Sequence, residues 1–363
     1  MNLNQLRNRL SAVDRDLISL IAQRQAIVAE IGEYKINTGT ATRDYARERE
    51  VLDSTKQQAQ LLGLDPEVAE HVMTELIRAS LAHQERSRVA AESTGAGKTA
   101  LIIGGAGKMG GWMAGFLASQ GYQIEIADPV ESALSFPQIS DWTQSKLEHE
   151  IIVVSVPISG TSEILSSLAD RSPTGLIVDV GSLKTPLAAG FKALVKSGCR
   201  VTSIHPMFGS DTRLLSGRHV IFVDVGVEEA TKEAQSLFAS TTAELINMSL
   251  IEHDRLIAYV LGLSHALNLA FFTALSESGE LAPHLKQLSS TTFDAQLKVA
   301  SRVAKDNPKL YFEIQTLNDY GLAPLEALRE ATSRIQTLVE LKDEDGFIAL
   351  MEAGKDYLDL LAD

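Results

Sequence analysis

An apolar run that dissolves into clustered glycines, Ala100-Leu-Ile-Ile-Gly-Gly-Ala-Gly-Lys-Met-Gly110, constrains this chain more than any other stretch. It reads as a buried strand entering Gly105-x-Gly107-x-x-Gly110, with Lys108 and Met109 inside the turn. The first glycine permits a tight turn, the second lets backbone approach a pyrophosphate, and the third allows close helix–strand packing. A helix starting there presents free N–H groups and a positive dipole end to an anion. Alone the spacing is weak, and a purely structural glycine turn is the other reading. Here a strand precedes it, a helix follows, and a second strand ends at Asp128. A carboxylate at that distance bonds the adenosine ribose hydroxyls and disfavours a 2′-phosphate. Together these residues predict a dinucleotide site that prefers NAD to NADP. Gly95-Ala-Gly-Lys-Thr99 resembles the tail of a phosphate-binding P-loop, but it precedes the strand and its first glycine would fall on Glu92.

The fingerprint starts a hundred residues into the chain. Before it, Leu3, Leu6, Leu10, Val13, Leu17, Leu20, Ile21, Val28 and Ile31 recur at threes and fours, predicting one long amphipathic helix from Leu3 to Ile36. Asn37–Thr42 breaks it, a second helix fits Asp44 to Leu62, and a third starts at Pro66 and runs to Arg88. Three such helices bury little by themselves, so this unit is expected to pair with a second copy. Ala90–Thr99 is small and polar and reads as a linker.

Beyond the glycines, strands are expected at Leu101–Ile103, Gln123–Ala127, Ile151–Val156, Leu176–Val180, Val201–Ile204 and Val220–Val225, alternating with helices. That predicts a largely parallel sheet covered on both faces. From Leu250 the chain returns to helix, with apolar spacing through Ile257–Phe272, Leu297–Val303 and Leu325–Leu341. The expected architecture is multidomain: all-α helical residues 1–92, linker 93–99, an α/β Rossmann domain over 100–249, and an all-α C-terminal domain over 250–363.

Composition narrows the function classes. A formal charge of −14 argues against general nucleic-acid affinity. No run of 18 apolar residues and no apolar export signal is present, so no membrane attachment is expected and the cytoplasm is the default location. The single Cys199 leaves no internal disulfide and no cysteine-rich metal site. No metal is expected.

Three segments fall where a doubly wound sheet gathers its ligands, beyond strand ends: Val156-Pro157, Asp179–Lys184 and Ile204–Gly209. His205 is either a structural cap or a group that takes a hydroxyl proton as hydride leaves. Ser182 reads as a helix cap or a site residue, and Lys184 as a solvated charge or a pocket cation. Val156 and Pro157 are placed against the dinucleotide. His253 and Asp254 read as caps of the helix starting there.

Ser182-x-Lys184, His205-Pro-Met-Phe-Gly209, Ile251–Asp254, Ser264-His265 and Ser301–Asp306 together resemble the prephenate/arogenate dehydrogenase family. The resemblance implies that His205 deprotonates the substrate hydroxyl, that Ser182 orients it with Lys184 beside it, and that Arg302 grips a carboxylate. His265 is either a pocket residue or a satisfied core histidine. Relatives carry another arginine where this chain has Asp294.

In the first ninety residues, Arg24 and Lys35 are eleven apart and return to nearly one helix face. Asp44, Arg47 and Glu48 share a face of the second helix, as Ser80 and Gln84 do on the third. Arg7 points away and would have to come from a partner chain. Spacing alone leaves a plain dimerisation module open. The pieces Leu6–Asp14, Ala22–Arg24, Gly32-x-x-Lys35, Arg43–Glu48 and Gln84 resemble AroQ-type chorismate mutases. That implies Arg24, Lys35 and a partner's Arg7 on the chorismate carboxylates, Asp44 and Glu48 on the ring hydroxyl, and Lys35 and Gln84 on the ether oxygen, with Arg47 and Ser80 lining the site. The joint resemblance implies a fused, homodimeric enzyme of tyrosine biosynthesis acting on chorismate and then prephenate with NAD, and feedback inhibition by tyrosine. The alternative is an arogenate dehydrogenase with a helical dimerisation or regulatory module in front.

Overall fold

The computed structural model describes residues 2–360. It divides into two compact units, one formed by Met1–Val156, Glu163–Gly181 and Gly190–Met248, the other by Pro157–Ser162, Ser182–Ala189 and Ser249–Asp363.

The first unit opens with α1 (Leu3–Thr38), α2 (Tyr45–Leu61) and α3 (Pro66–Ala91). Asn2 and Gln5 form a reciprocal capping box, and Gly39, at a φ of 66°, closes α1 in the left-handed region. Asp44 caps α2 by accepting from the Arg47 N–H, so it sits just ahead of the helix and not on the helical face expected for it. Asp65 caps α3, with Pro66 in its first turn. Successive contacts, Arg24 with Ser80, Gly32 with Gln84 and, in the loop after α1, Thr42 with Arg88, advance in the same sense along the chain and along α3.

An eight-stranded sheet follows, in the order β3-β2-β1-β4-β5-β6-β7-β8. Its strands are β1 (Thr99–Ile103), β2 (Gln123–Ala127), β3 (Gln138–Ile139), β4 (Ile151–Val154), β5 (Leu176–Asp179), β6 (Val201–Pro206), β7 (His219–Val223) and β8 (Glu244–Met248). Every pairing is parallel except β6 with β7. The connecting helices are α4 (Lys108–Ser119), α5 (Ile158–Arg171), α6 (Ala188–Lys196) and α7 (Glu228–Ser236). Ile102, Val153 and Val178 pack on one face with Met113 and Leu117 of α4 and Ala234 of α7, while Leu101, Ile152 and Ile177, pointing the other way, are equally buried.

β3 and β8 lie outside the sequence expectation. β3 has only two residues, and β8 is an edge strand that is mostly exposed, so neither carries a buried apolar run. The expected strand from Ile151 to Val156 ends at Val154, and that from Val220 ends at Val223, where the Asp224 carboxylate accepts the Gly226 and Val227 N–H groups and turns the chain. The expected linker is pinned: Gly95 donates to the Gln120 carbonyl and lies so close to Tyr122 that a Cβ would fall 2.3 Å from its ring.

The second unit contains α8 (Leu250–Ile257), α9 (Ser264–Glu277), α10 (Ala282–Gln287), α11 (Thr291–Ala304), α12 (Pro308–Thr316), α13 (Leu322–Leu341) and α14 (Glu344–Asp359). A π-helical turn at Ala258–Leu263 joins α8 to α9, and Gln315 Nε2 bonds the Gly262 carbonyl within it at 2.7 Å.

Candidate functional sites

In the helical front, Arg24 reaches across to α3. Its Nη1 donates to Ser80 Oγ at 2.6 Å and to the Leu76 carbonyl at 3.2 Å, and burial lowers its pKa. Ser80 in turn donates to the Leu76 carbonyl, fixing the hydroxyl lone pair that receives Arg24. Lys35 Nζ donates to the Thr42 carbonyl at 2.7 Å, leaving two of its three donors for something else. Gln84 is buried against Gly32, where an added Cβ would lie 3.1 Å from the Gln84 Cγ. The Gln84 side-chain oxygen has no hydrogen-bond partner. A buried, unpaired amide is costly unless something polar comes to it.

Glu48 is held by Arg43, the basic residue just ahead of α2. Arg43 lays a two-pronged fork on its carboxylate, Nε to Oε1 at 2.9 Å and Nη2 to Oε2 at 3.1 Å, and stacks over Tyr45. The bidentate bond raises the Arg43 pKa. The signal was present, since an arginine five residues before a glutamate spans a helix start. Arg47 instead pairs with Glu50 on the exposed side of α2. Arg7 is also exposed, and seventeen helical residues put it about 25 Å along α1 from Arg24.

At the glycine turn, the left-handed position is Gly104, with a φ of 86°, one residue before the first glycine of the fingerprint. Gly104 also lies against Ser155, where a Cβ would meet the carbonyl at 2.2 Å. Gly105 is required by space, its Cβ direction being blocked by Ile126 at 2.8 Å, and Gly110 by the Gly104 carbonyl at 2.2 Å. Gly107 caps α4 without any side-chain bond, so no side chain closes that helix N-terminus. The Asp128 carboxylate accepts from the Ala106 N–H at 3.1 Å and the Val130 N–H at 2.9 Å, so it stands at the lip of the turn. A cradle that no Cβ can enter, an open helix N-terminus and a carboxylate fit a dinucleotide with a free ribose.

His205 and Pro206 lie within β6, paired antiparallel with β7 in the register His205 with Ile221, and not past the strand end. His205 is buried. Beside it in the sheet, at the end of β5, Asp179 accepts from Ser203 Oγ at 2.7 Å.

In the second unit, His253 and Asp254 do not cap α8. Ser249 caps it, and both residues are completely buried in mid-helix. The Asp254 carboxylate accepts the Lys184 N–H at 2.9 and 3.1 Å, the Thr185 N–H at 2.6 Å and the Thr185 hydroxyl, and it is 2.7 Å from His253 Nδ1. Burial pushes its pKa up, but the bonds from His253, Thr185 and Lys184 outweigh that and leave it lowered. Asp254 therefore holds the loop that carries half-buried Ser182 and Lys184. Lys184 is fully buried, which removes the solvated-charge reading. Three and four residues after Asp254 come buried Ile257 and Ala258, so an acid on an apolar stripe was the readable sign. Glu313, likewise buried, accepts from the Ile158 N–H and Ser159 Oγ at the start of α5, just after Pro157. His265 stacks on Tyr311 at 4.0 Å, yet its Nδ1 is buried without a partner, so it is not a satisfied core histidine. Arg302 is exposed on α11. Asp294, in the first turn of the same helix, accepts from Ser289 Oγ.

Comparison with known proteins accounts for this sequence of sites. Residues 6–85 match the chorismate mutase type II family, 125–247 the nucleotide-binding domain of prephenate dehydrogenase, and 250–353 its dimerization domain. The second match starts after the glycine turn, so the fingerprint stands on its own geometry. Two proteins called T-protein match nearly end to end: that of Enterobacter agglomerans is 28% identical over 96% of this chain and 90% of its own length. That of Haemophilus influenzae is 28% identical over 98% and 92%. The fold of a prephenate dehydrogenase from A. aeolicus, solved with hydroxyphenyl propionate and NAD+, superposes with a TM-score of 0.60 at 20% identity, over 72% of this chain and 98% of that one. A helical mutase and a two-part dehydrogenase thus share one polypeptide. The chain belongs to the bifunctional chorismate mutase/prephenate dehydrogenases of tyrosine biosynthesis, and it is both an isomerase and an oxidoreductase.

Proposed function

We propose that residues 1–92 convert chorismate to prephenate with Arg24 and Lys35 on one carboxylate, Arg7 of a partner subunit on the other, Glu48 and Asp44 on the ring hydroxyl, and Lys35 and Gln84 donating to the ether oxygen. Arg47 and Ser80 line the site, Ser80 by orienting Arg24. The observation that carries this reading is the Arg24 guanidinium held on Ser80, one helical turn before the buried Gln84, which itself packs on Gly32 of α1. The rearrangement is pericyclic and needs no nucleophile. The protein confines a compact conformer and stabilises charge on the breaking C–O bond with fixed donors.

Residues 100–249 and 250–363, joined by the linker at 93–99 to the mutase, oxidise prephenate. NAD lies on Gly105, Gly107, Lys108, Met109 and Gly110, with Asp128 on its ribose and Val156 and Pro157 alongside, and when bound it supplies the hydride acceptor. His205 takes the hydroxyl proton as hydride leaves the same ring carbon. Loss of CO2 is driven by aromatisation and yields 4-hydroxyphenylpyruvate. Ser182 and Lys184 act from the loop that Asp254 holds, Arg302 binds a substrate carboxylate, and His265 lines the site. Prephenate is preferred to arogenate, and tyrosine inhibits as the end product.

The enzyme is a cytoplasmic homodimer in this reading. Leu6, Leu10, Val13, Leu17 and Ile18 stand exposed along α1, as do Tyr259, Val260 and Leu267 in the apolar stretch Leu250–Glu277, and a second copy covers both.

Following chorismate loss and NADH formation in one purified sample tests the whole assignment. Both signals are expected. NADH formation from arogenate at a higher kcat/KM than from prephenate would favour the arogenate alternative. Mutase activity surviving deletion of residues 1–92 would remove the mutase from the helical front. His205→Asn is expected to abolish hydride transfer while NAD still binds.

A further inference from the structure

Within the first unit, Arg43 is a charged residue that neither reaction has been assigned, yet its guanidinium donates from every nitrogen. Nε and Nη2 lie on the two oxygens of Glu48 at 2.9 and 3.1 Å, and Nη1 donates to Ser216 Oγ at 2.6 Å. Glu48 belongs to α2 of the helical front, whereas Ser216 follows Arg43 by 173 residues and lies in the segment leading into β7. We propose that Arg43 is a positioning residue of the mutase, which orients the Glu48 carboxylate for the chorismate ring hydroxyl, and that Ser216 anchors Arg43 in the orientation that does so. This role rests on the ring-hydroxyl contact proposed for Glu48.

The chain on either side of Arg43 is fixed. Thr42, just before it, is buried; its carbonyl accepts from Lys35 Nζ at 2.7 Å and its hydroxyl from Arg88 Nη1 at 3.1 Å. Asp44, just after it, caps α2. The guanidinium then stacks over the Tyr45 ring at 4.3 Å, which sets its plane. A fork on two oxygens fixes the plane of a carboxylate as well as its place, which the point charge of a lysine cannot do. Each Glu48 oxygen keeps acceptor capacity beyond the fork, so a substrate hydroxyl can still donate to it. Side-chain exposures of 28% for Arg43 and 20% for Glu48 set the pair apart from surface ion pairs that contribute little. Charge gives a second reason for an arginine here. Glu48 has to accept as a carboxylate beside Asp44 and a substrate that brings two carboxylates of its own. A cation bonded to Glu48 offsets that repulsion without touching the substrate.

Ser216 is itself held in place. The N–H of the preceding Leu215 donates to one oxygen of Glu85 at 2.8 Å, and the other oxygen accepts the Thr242 N–H at 2.9 Å and the Thr242 hydroxyl at 2.8 Å. Glu85 is buried on α3, next to Gln84. A line of bonds thus runs from Glu48 through Arg43, Ser216 and Leu215 to Glu85. It registers the acid of α2 against the amide of α3 by way of residues outside the three helices.

Mutase kinetics of full-chain variants test this. Arg43→Gln should lower kcat/KM for chorismate at least about tenfold and raise KM, because the hydroxyl contact is made in bound chorismate as well as in the transition state. Arg43→Lys, which keeps the charge without the fork, should lose less. Ser216→Ala removes one bond of three and should lower kcat/KM about threefold, again with a rise in KM. Dehydrogenase activity in each sample should stay within about twofold and so reports on folding. A double-mutant cycle isolates the route of the effect. On a Glu48→Gln background, Arg43→Gln should cost less than about twofold more, and Ser216→Ala should add nothing to Arg43→Gln. Equal losses with and without Glu48, or a fall in kcat at an unmoved KM, overturn the proposal. An unmoved KM in Ser216→Ala overturns the anchor. A full mutase rate in Glu48→Gln alone would instead remove Glu48 from the reaction, and with it the reading beneath. If Arg43→Gln loses the dehydrogenase as well, Arg43→Lys carries the same cycle.

Discussion

The Asp254 carboxylate grips the Lys184 backbone N–H with both oxygens, at 2.9 and 3.1 Å, from a position seventy residues further along the chain. That pairing fixes the loop from Ser182 to Ala189 on α8, within one compact unit. Asp254→Asn keeps the shape but replaces acceptors by an amide that cannot take all of these bonds. We expect a loss of about 3 kcal/mol in stability, as for a buried charged network broken on one side. Dehydrogenase kcat/KM should fall by about a hundredfold, since a shift of about 1 Å in a positioned group has that effect. The mutase rate, measured in the same sample, should be unchanged. A dehydrogenase at full rate in this variant would show that the loop needs no such anchor.

His265 sets a pH dependence in the same helices. Burial lowers its pKa, with the nearby Asp306 carboxylate acting the other way, so the folded state favours the neutral ring. A group whose folded pKa is depressed contributes fully above its unfolded value, about 6.5, and that contribution is lost as pH falls through the folded value. Thermal unfolding of the intact enzyme should therefore occur at lower temperature as pH drops below about 6.5. His265→Phe preserves the stack on Tyr311 and removes the proton, so it should flatten the slope in that window. An identical slope in the variant would place its origin in other groups.

Arg24 and Ser80 make a graded pair. Arg24→Ala removes a charge aimed at the substrate and should lower mutase kcat/KM by at least about a hundredfold, with dehydrogenase activity retained. Ser80→Ala only frees the guanidinium from its 2.6 Å bond, and a loss of about tenfold is expected, mostly in KM. If both activities fell together after Arg24→Ala, the two reactions would not have separate sites.

What the sequence disclosed follows from periodicity. α1 was legible to within two residues because its apolar positions recur along its length, and β1, β4 and β5 because they are buried on both faces. β8 was not, since an edge strand with Glu244 and Asn247 on it has no apolar signature. Among site residues, those with a charge and a helical spacing could be placed in advance. Glu313 could not, and Asp254 only as an acid on an apolar stripe, because each acts on backbone N–H groups far away in sequence, and nothing local marks where those will be. Lys184 stayed open between a solvated loop charge and a pocket cation for the same reason, until its burial decided against the first.

The glycine turn offers a comparison between neighbours. Gly110→Ala would push a methyl to 2.2 Å from the Gly104 carbonyl, and backbone cannot move aside as a side chain can. Gly111→Ala meets the end of Leu134 at 3.4 Å and the Gly105 carbonyl at 3.6 Å, both ordinary contacts. Both sit in the first turn of α4, where alanine is the better helix former by about 1 kcal/mol, so propensity favours the two changes equally and space alone separates them. NAD affinity measured by calorimetry should fall at least about tenfold in Gly110→Ala and by less than about twofold in Gly111→Ala. Mutase activity serves as the control for folding of the helical front. Equal NAD affinity in the two variants would mean that the close approach of Gly110 to Gly104 is not what shapes the dinucleotide cradle.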